Sequence, residues 1–181
     1  MLERKFMINI ILKEDDITDI DYLDEYFEEY KKIYPDFKPY TSKETYIEFL
    51  KDLELKKQGI NNNGIKEIFY YAYENNKIIG HGSIRLNPET DKNIYEEAGH
   101  IMYGIVPSKR NQGYGKELCR KLLNQANKLG LDNVIITCNI NNLGSKKIIE
   151  KMGGIYINSI DVNGTTIIRY IVPTLVKEYR I

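Results

Sequence analysis

Residues 98–140 leave the fold little freedom. An apolar run, "AGHIMYGIVP", ends at Pro107 and is followed by "SKRNQGYG"; a helix-patterned segment and then the apolar run "NVIITCNI" come next. This order describes strand, turn, helix and strand, and a crossover of that length joins parallel neighbours. Leu118, Leu122, Ala126 and Leu129 recur at helical spacing and Gly130 follows them, which predicts a helix over residues 115–129. The second run is apolar almost throughout, as a strand covered on both faces should be.

The flanks add elements of other kinds. Residues 7–13 read as a short strand. Ile20, Leu23, Phe27, Tyr30 and Tyr34 form one helical face that Pro35 ends. A second helix starts near Thr41, where Thr41 and Glu44 make a capping box, and it turns Tyr46, Phe49, Leu50 and Leu53 inward. Strands are expected at 67–74 and 77–86 with a turn at Asn75-Asn76, a long connection at 87–97, and a strand over 98–106. A short helix runs from an Asn142 cap to a glycine stop, and a last hairpin turns at Asn163-Gly164. The fold class is therefore α/β (α+β): a mixed, mostly antiparallel central sheet of about seven strands flanked by about four helices, in one domain over residues 1–181. Only the 98–140 unit demands a parallel pair.

Bulk properties exclude several function classes. The formal net charge is +0, which gives no reason to expect nucleic acid or an anionic membrane as partner. No apolar run approaches the roughly 20 residues of a spanning helix, and "MINIIL" is too short for a secretory leader. Cys119 and Cys138, with His81 and His100, make neither a disulfide framework nor a metal site. A cytoplasmic, metal-free protein is expected.

The chemistry concentrates in "KRNQGYGKE", where Arg110, Gly113 and Gly115 fit R-x-x-G-x-G. The first amides of a helix lack intrahelical partners and, with the helix dipole, favour an anion. Glycine lets a ligand approach the backbone, and Lys109, Arg110 and Lys116 add positive charge. These features describe a diphosphate cradle; by themselves they equally describe a tight turn. The P-loop pattern G-x-x-x-x-G-K-[ST] is not met, because Glu117 follows Lys116, and no G-x-G-x-x-G is present.

Two separated motifs, "IVPSKRNQGYG" and "NLGSKKIIEKMGG", agree in spacing with the acetyl-CoA-binding core of the GNAT N-acetyltransferase superfamily, and residues 98–154 resemble it. The resemblance divides the chain into an acceptor-side part (about 1–97), the acetyl-CoA core (about 98–154) and a C-terminal hairpin (about 155–173). It implies that acetyl-CoA is the acyl donor. The amides of Gln112, Gly113, Tyr114, Gly115 and Lys116, beside Arg110 and Asn111, would hold the pyrophosphate. The backbone of Ile105 and Val106 would pair with the pantetheine. Asn142 would contact the pantetheine arm, with Ser145 and Lys146 near the phosphates; Asn142 also reads as a plain helix cap.

The resemblance also implies an amine attacking the thioester directly, with a general base to deprotonate it. The usual base position is Gly99 here, which cannot serve. Glu97 shares its face by strand parity and ranks above the adjacent His100, unless a bulge reverses the order. The usual tyrosine acid falls at Ile149, so Tyr103, Tyr156 or water would substitute. Cys138, with no His or Asp in its segment, reads as a buried thiol. The acids between Glu14 and Glu29 read as a solvated helix face or, alternatively, as a site for a cationic acceptor.

The expected activity is N-acetyl transfer from acetyl-CoA to a primary amine of a small molecule or protein, by a monomer or homodimer. A non-catalytic acyl-CoA-binding or sensing domain is the alternative. A third reading, acetylation of charged transfer RNA, would need a basic face that the net charge argues against.

Overall fold

The computed structural model describes residues 8–14, 20–32 and 43–175. Its elements are β1 (Ile11–Glu14), α1 (Ile20–Lys31), α2 (Lys43–Lys57), β2 (Glu67–Glu74), β3 (Lys77–Arg85), α3 (Lys92–Glu97), β4 (Ile101–Ile105), α4 (Tyr114–Lys128), β5 (Asn133–Asn139), α5 (Leu143–Lys151), β6 (Ile155–Val162) and β7 (Thr165–Pro173). Single 3-10 turns lie at Pro88–Thr90 and Pro107–Lys109. Seven strands and the α/β class agree with the sequence reading. Five α-helices stand among the described residues where about four were expected.

The strands form two sheets, in the orders β1-β2-β3-β4 and β5-β7-β6, and every ladder is antiparallel. The parallel pair expected over 98–140 is therefore not formed. β4 gives one edge to β3, β5 pairs with β7, and only an isolated antiparallel bridge, Gly99 to Ile136, joins the two sheets among the described residues. The cause is local. Gly99 takes φ +64°, a left-handed conformation that glycine adopts without penalty, so the chain turns there and the strand starts at Ile101 instead of Ala98.

The segment before Gly99 is also not plain loop. The Asp91 side chain accepts from the amides of Asn93 and Ile94 and starts α3. Arg169, buried on β7, reaches the Tyr95 carbonyl at 3.4 Å and lies 5.1 Å from its ring, which holds α3 against the C-terminal sheet.

Helices cover the N-terminal sheet on both faces. From α1, Leu23, Phe27 and Tyr30 are buried as the helical period requires, and Tyr26 joins them. Tyr26 and Tyr30 pack edge-on against His81 of β3. On α2, Tyr46 and Leu53 are buried and Phe49 and Leu50 are partly covered. On the opposite face α4 buries Leu118, Leu122 and Ala126, while Leu129, expected inside, is 39% exposed at the helix end. Both hairpin turns are as expected: Asn75 and Asn76, and Asn163 and Gly164, all have positive φ. Tyr34, Pro35 and the Thr41/Glu44 capping box lie outside the described residues or side chains.

Candidate functional site

The two sheets meet along β4 and β5 but are stitched at one end only. There His100 donates its amide to Ile135 O at 2.8 Å, and Ile135 donates its amide to His100 Nδ1 at 3.0 Å. Beyond that stitch no ladder joins residues 101–105 to β5, so a wedge opens toward the C-terminal end of β4. The β3–β4 register runs through Arg85 N–H to His100 O (2.8 Å) and Val106 N–H to Ile79 O (3.0 Å). Hydrogen-bonded pairs alternate in such a ladder, so the backbone groups of Ile101, Tyr103 and Ile105 face the wedge. Ile105 stands where an extended ligand could add as a strand. Val106 spends its amide on Ile79.

At the mouth of the wedge the chain makes the glycine turn. Asn111 (φ +58°) and Gly113 (φ +93°) are left-handed, and Gly113 caps α4. A Cβ at Gly113 would lie 2.8 Å from Ile8 Cδ1, the end of a side chain that can shift, so it is the left-handed backbone that calls for glycine here. Glu117 N–H is the first amide with an intrahelical acceptor, Gly113 O at 3.1 Å. The amides of Tyr114, Gly115 and Lys116 precede it, and none bonds to a described residue. The structure thus supplies what a diphosphate needs: free amides at the positive end of a fifteen-residue helix.

The cations are disposed unequally. Arg110 folds back, its Nε donating to Ile105 O at 3.0 Å, and its residue is exposed. Lys116 and Lys146 make no ion pair among the described residues. Lys109 pairs with Glu74 at 2.6 Å, and Glu74 also accepts from the Tyr114 hydroxyl. Gln112 Nε2 donates to Ser108 O at 2.8 Å.

On the face of the sheet covered by α4, the Tyr103 hydroxyl of β4 lies 3.2 Å from Ser145 Oγ of α5. Ser145 sits one turn before Ile149 on the same face of α5, and the amide of Ser145 donates to Asn142 Oδ1 at 3.1 Å. Asn142 is thus the helix cap. Burial raises the Tyr103 pKa, and the nearby Cys119 and Cys138 thiols add to it while the Ser145 bond opposes it. Burial pushes the Cys119 thiol up to about 12 and raises that of Cys138. Neither thiol has an activating base, so both are inert packing groups beside a protonated phenol.

The two base candidates stand elsewhere. Glu97 ends α3 instead of lying on a strand, so strand parity does not connect it to Ile105; its residue is exposed and its carbonyl accepts from Thr137 Oγ1 at 2.8 Å. His100 does lie at the seam, but Nδ1 is engaged by Ile135, and desolvation lowers its pKa, which keeps the ring neutral at pH 7. Tyr156 is exposed on β6 and packs edge-on against Tyr170.

The acids of α1 are largely committed. Glu25 pairs with Lys77, Glu28 with Lys31, and Glu29 accepts the Ser108 amide at 2.6 Å. Glu25 and Glu29 line a cleft of about 330 Å³ with Glu74, Lys77 and Lys109. Sequence reading missed Glu74 and the Tyr103–Ser145 contact. Their partners lie 35 to 42 residues away in the chain, beyond any local signal. Among the described residues no cluster could hold a metal ion, and no helix is long and apolar enough to cross a membrane.

A family model described as an acetyltransferase (GNAT) domain matches residues 10–155. Comparison with curated proteins found no match. Among solved structures, the apo form of RimL, a ribosomal L7/L12 alpha-N-protein acetyltransferase, is 17% identical with a TM-score of 0.67, over 91% of this chain and 90% of its own. RimL in complex with coenzyme A is 17% identical with a TM-score of 0.65, over 91% and 93%. A mutant of the spermidine N-acetyltransferase SpeG from Vibrio cholerae is 15% identical with a TM-score of 0.60, over 91% and 95%. At these identities the likeness shows the fold.

Proposed function

This chain belongs to the GNAT acetyltransferase family, and we propose that it transfers acetyl from acetyl-CoA to a primary amine within the wedge between β4 and β5. The pantetheine lies along the outward backbone of Ile105, using its N–H, while Arg110 holds the Ile105 carbonyl. The diphosphate sits on the amides from Gln112 to Lys116, with Arg110, Asn111, Lys116 and Lys146 around it. Asn142 caps α5 and flanks the arm. The observation that carries this reading is the coincidence of the free helix-end amides with the open end of the wedge.

A neutral amine attacks the thioester carbonyl carbon; the C–N bond forms, the C–S bond breaks, the sulfur leaves as thiolate, and the nitrogen sheds its surplus proton to water, from which the acid that protonates the sulfur is recharged. Tyr103 is the acid that returns a proton to it. Its hydroxyl arrives from β4 beside the α5 face on which Ile149 replaces the usual tyrosine; burial raises its pKa, which keeps it protonated at neutral pH but makes it a weaker acid, so geometry and not acidity is what supports the role. Ser145 orients that hydroxyl. An amine such as a lysine, with a pKa of about 10.4, must first lose a proton. Water is the acceptor of that proton in this account, since Glu97 is exposed on α3 and His100 Nδ1 is occupied. The two free buried cysteines suit a reducing, cytoplasmic compartment.

RimL is a protein alpha-N-acetyltransferase and SpeG a spermidine N-acetyltransferase. The acceptor proposed here is correspondingly a primary amine, of protein or small molecule. The test is release of coenzyme A thiol from acetyl-CoA with a panel of amines: a polyamine, peptides with free α-amines and lysine derivatives. Amine-dependent thiol release supports the transferase. Binding of acetyl-CoA without turnover across the panel supports the acyl-CoA-binding alternative, in which Tyr103 has no task.

A further inference from the structure

One of the cations beside the glycine turn is already paired. Lys109 Nζ lies 2.6 Å from Glu74 Oε2, at the end of β2, in a pair whose side chains are 33% and 18% exposed. The other carboxylate oxygen of Glu74 accepts from the hydroxyl of Tyr114, the first residue of α4. Lys109 Nζ also stands 5.1 Å from the centroid of the Tyr114 ring. One carboxylate therefore holds both the lysine that enters the turn and the side chain that opens the helix. Lys109 draws the Glu74 carboxyl below its usual range, and Glu74 in turn raises Lys109, so both are charged at neutral pH.

A carboxylate is an odd neighbour for an anion site. The turn's free amides and dipole attract a diphosphate, and Lys109 would add to that attraction if it were unpaired. Paired with Glu74, it adds almost none. If it swings to the phosphates, Glu74 is left as an unpaired negative charge on the same side of the turn, held by the Tyr114 hydroxyl. Either way the carboxylate opposes the ligand.

We infer that Glu74 competes with bound diphosphate for Lys109, and so weakens coenzyme A binding and hastens release of the product. This deepens the proposed function and rests on its placing of the diphosphate at the glycine turn. The benefit to a transferase is turnover: product departure limits many enzymes, and coenzyme A keeps the whole diphosphate handle of the donor.

The test is a double-mutant cycle read by calorimetric titration with coenzyme A, using wild type, Glu74→Gln, Lys109→Met and the pair together. Glu74→Gln frees the lysine and is expected to bind about three- to tenfold more tightly in low salt, with slower dissociation in stopped flow. Lys109→Met strands the carboxylate and is expected to bind more weakly by a similar factor. The double variant returns close to wild type, and raising the salt shrinks all the differences. A folding defect cannot produce the tightening, so that sign is diagnostic. Equal or weaker binding by Glu74→Gln, with wild type binding normally, overturns this inference alone. No binding by wild type overturns the diphosphate site as well.

Discussion

The hydroxyls of Tyr103 and Ser145 stand 3.2 Å apart, one carried by β4 and the other by α5. The two residues lie 42 positions apart in the chain, and under the proposed function Tyr103 is the proton donor. Tyr103→Phe is expected to lower kcat by about 100- to 10,000-fold with little change in the KM for acetyl-CoA, the range of a lost general acid. Ser145→Ala should cost less, since the phenol keeps its proton. Equal loss in kcat and in acetyl-CoA affinity for Tyr103→Phe would assign the residue to binding instead.

The thiols near Tyr103 should take no covalent part. With Cys119 pushed up to about 12 and Cys138 raised, almost no thiolate exists at pH 7.5. Initial-rate patterns are expected to intersect, as for direct transfer in a ternary complex, and Cys138→Ala should retain turnover. Parallel lines with loss of activity in that variant would mean an acyl-enzyme.

Acid sensitivity should trace to His81. It is 5% exposed on β3, stacked on Phe69, and burial pushes its pKa down to about 4. The unfolded chain takes up a proton near pH 6.5 that the native state refuses, so the contribution is fully present above pH 6.5 and is lost as pH falls toward 4. The loss approaches about 3 kcal/mol at the lower limit. Melting between pH 7 and 4.5 should show this decline, and His81→Phe should flatten it even though its stability at pH 7 drops. An unchanged slope in the variant would assign the acid sensitivity to the carboxylates.

Gly104 on β4 faces Tyr30 of α1. An added Cβ would lie 2.4 Å from the Tyr30 hydroxyl. Gly104→Ala is expected to lower Tm by about 5 °C, the cost of modest overpacking in a chain this size. Tyr30→Phe removes the nearest atom, so the double variant should recover much of the loss. If it does not, the strain lies in the backbone of β4.

Much of the fold was legible because it is written in local periods and turns. The β2–β3 hairpin follows from two runs around Asn75-Asn76, and both residues adopt the left-handed conformation that such a turn requires. The helix over 115–129 and its cap were visible in the spacing of Leu118, Leu122 and Ala126. α3 was not, because six residues with none buried carry no apolar face; only Asp91 as a cap marked it. The division into two sheets was not either. It depends on Gly99 turning left-handed and on β5 choosing β7, some thirty residues onward. That same division removed the parity argument for Glu97. The glycine turn was legible as an anion cradle, whereas the Glu74 carboxylate beside it and the Ser145 hydroxyl beside Tyr103 exist only through tertiary contact.

The most direct measurement is calorimetric titration of the purified protein with acetyl-CoA, repeated on Gly113→Glu with melting curves to establish that the variant folds. A carboxylate there would stand among the α4 amides and repel the diphosphate, and its backbone would be strained at φ +93°. Micromolar binding by wild type is expected, abolished in a variant that still melts cooperatively. Absence of binding by wild type, or undiminished binding by the folded variant, would contradict it.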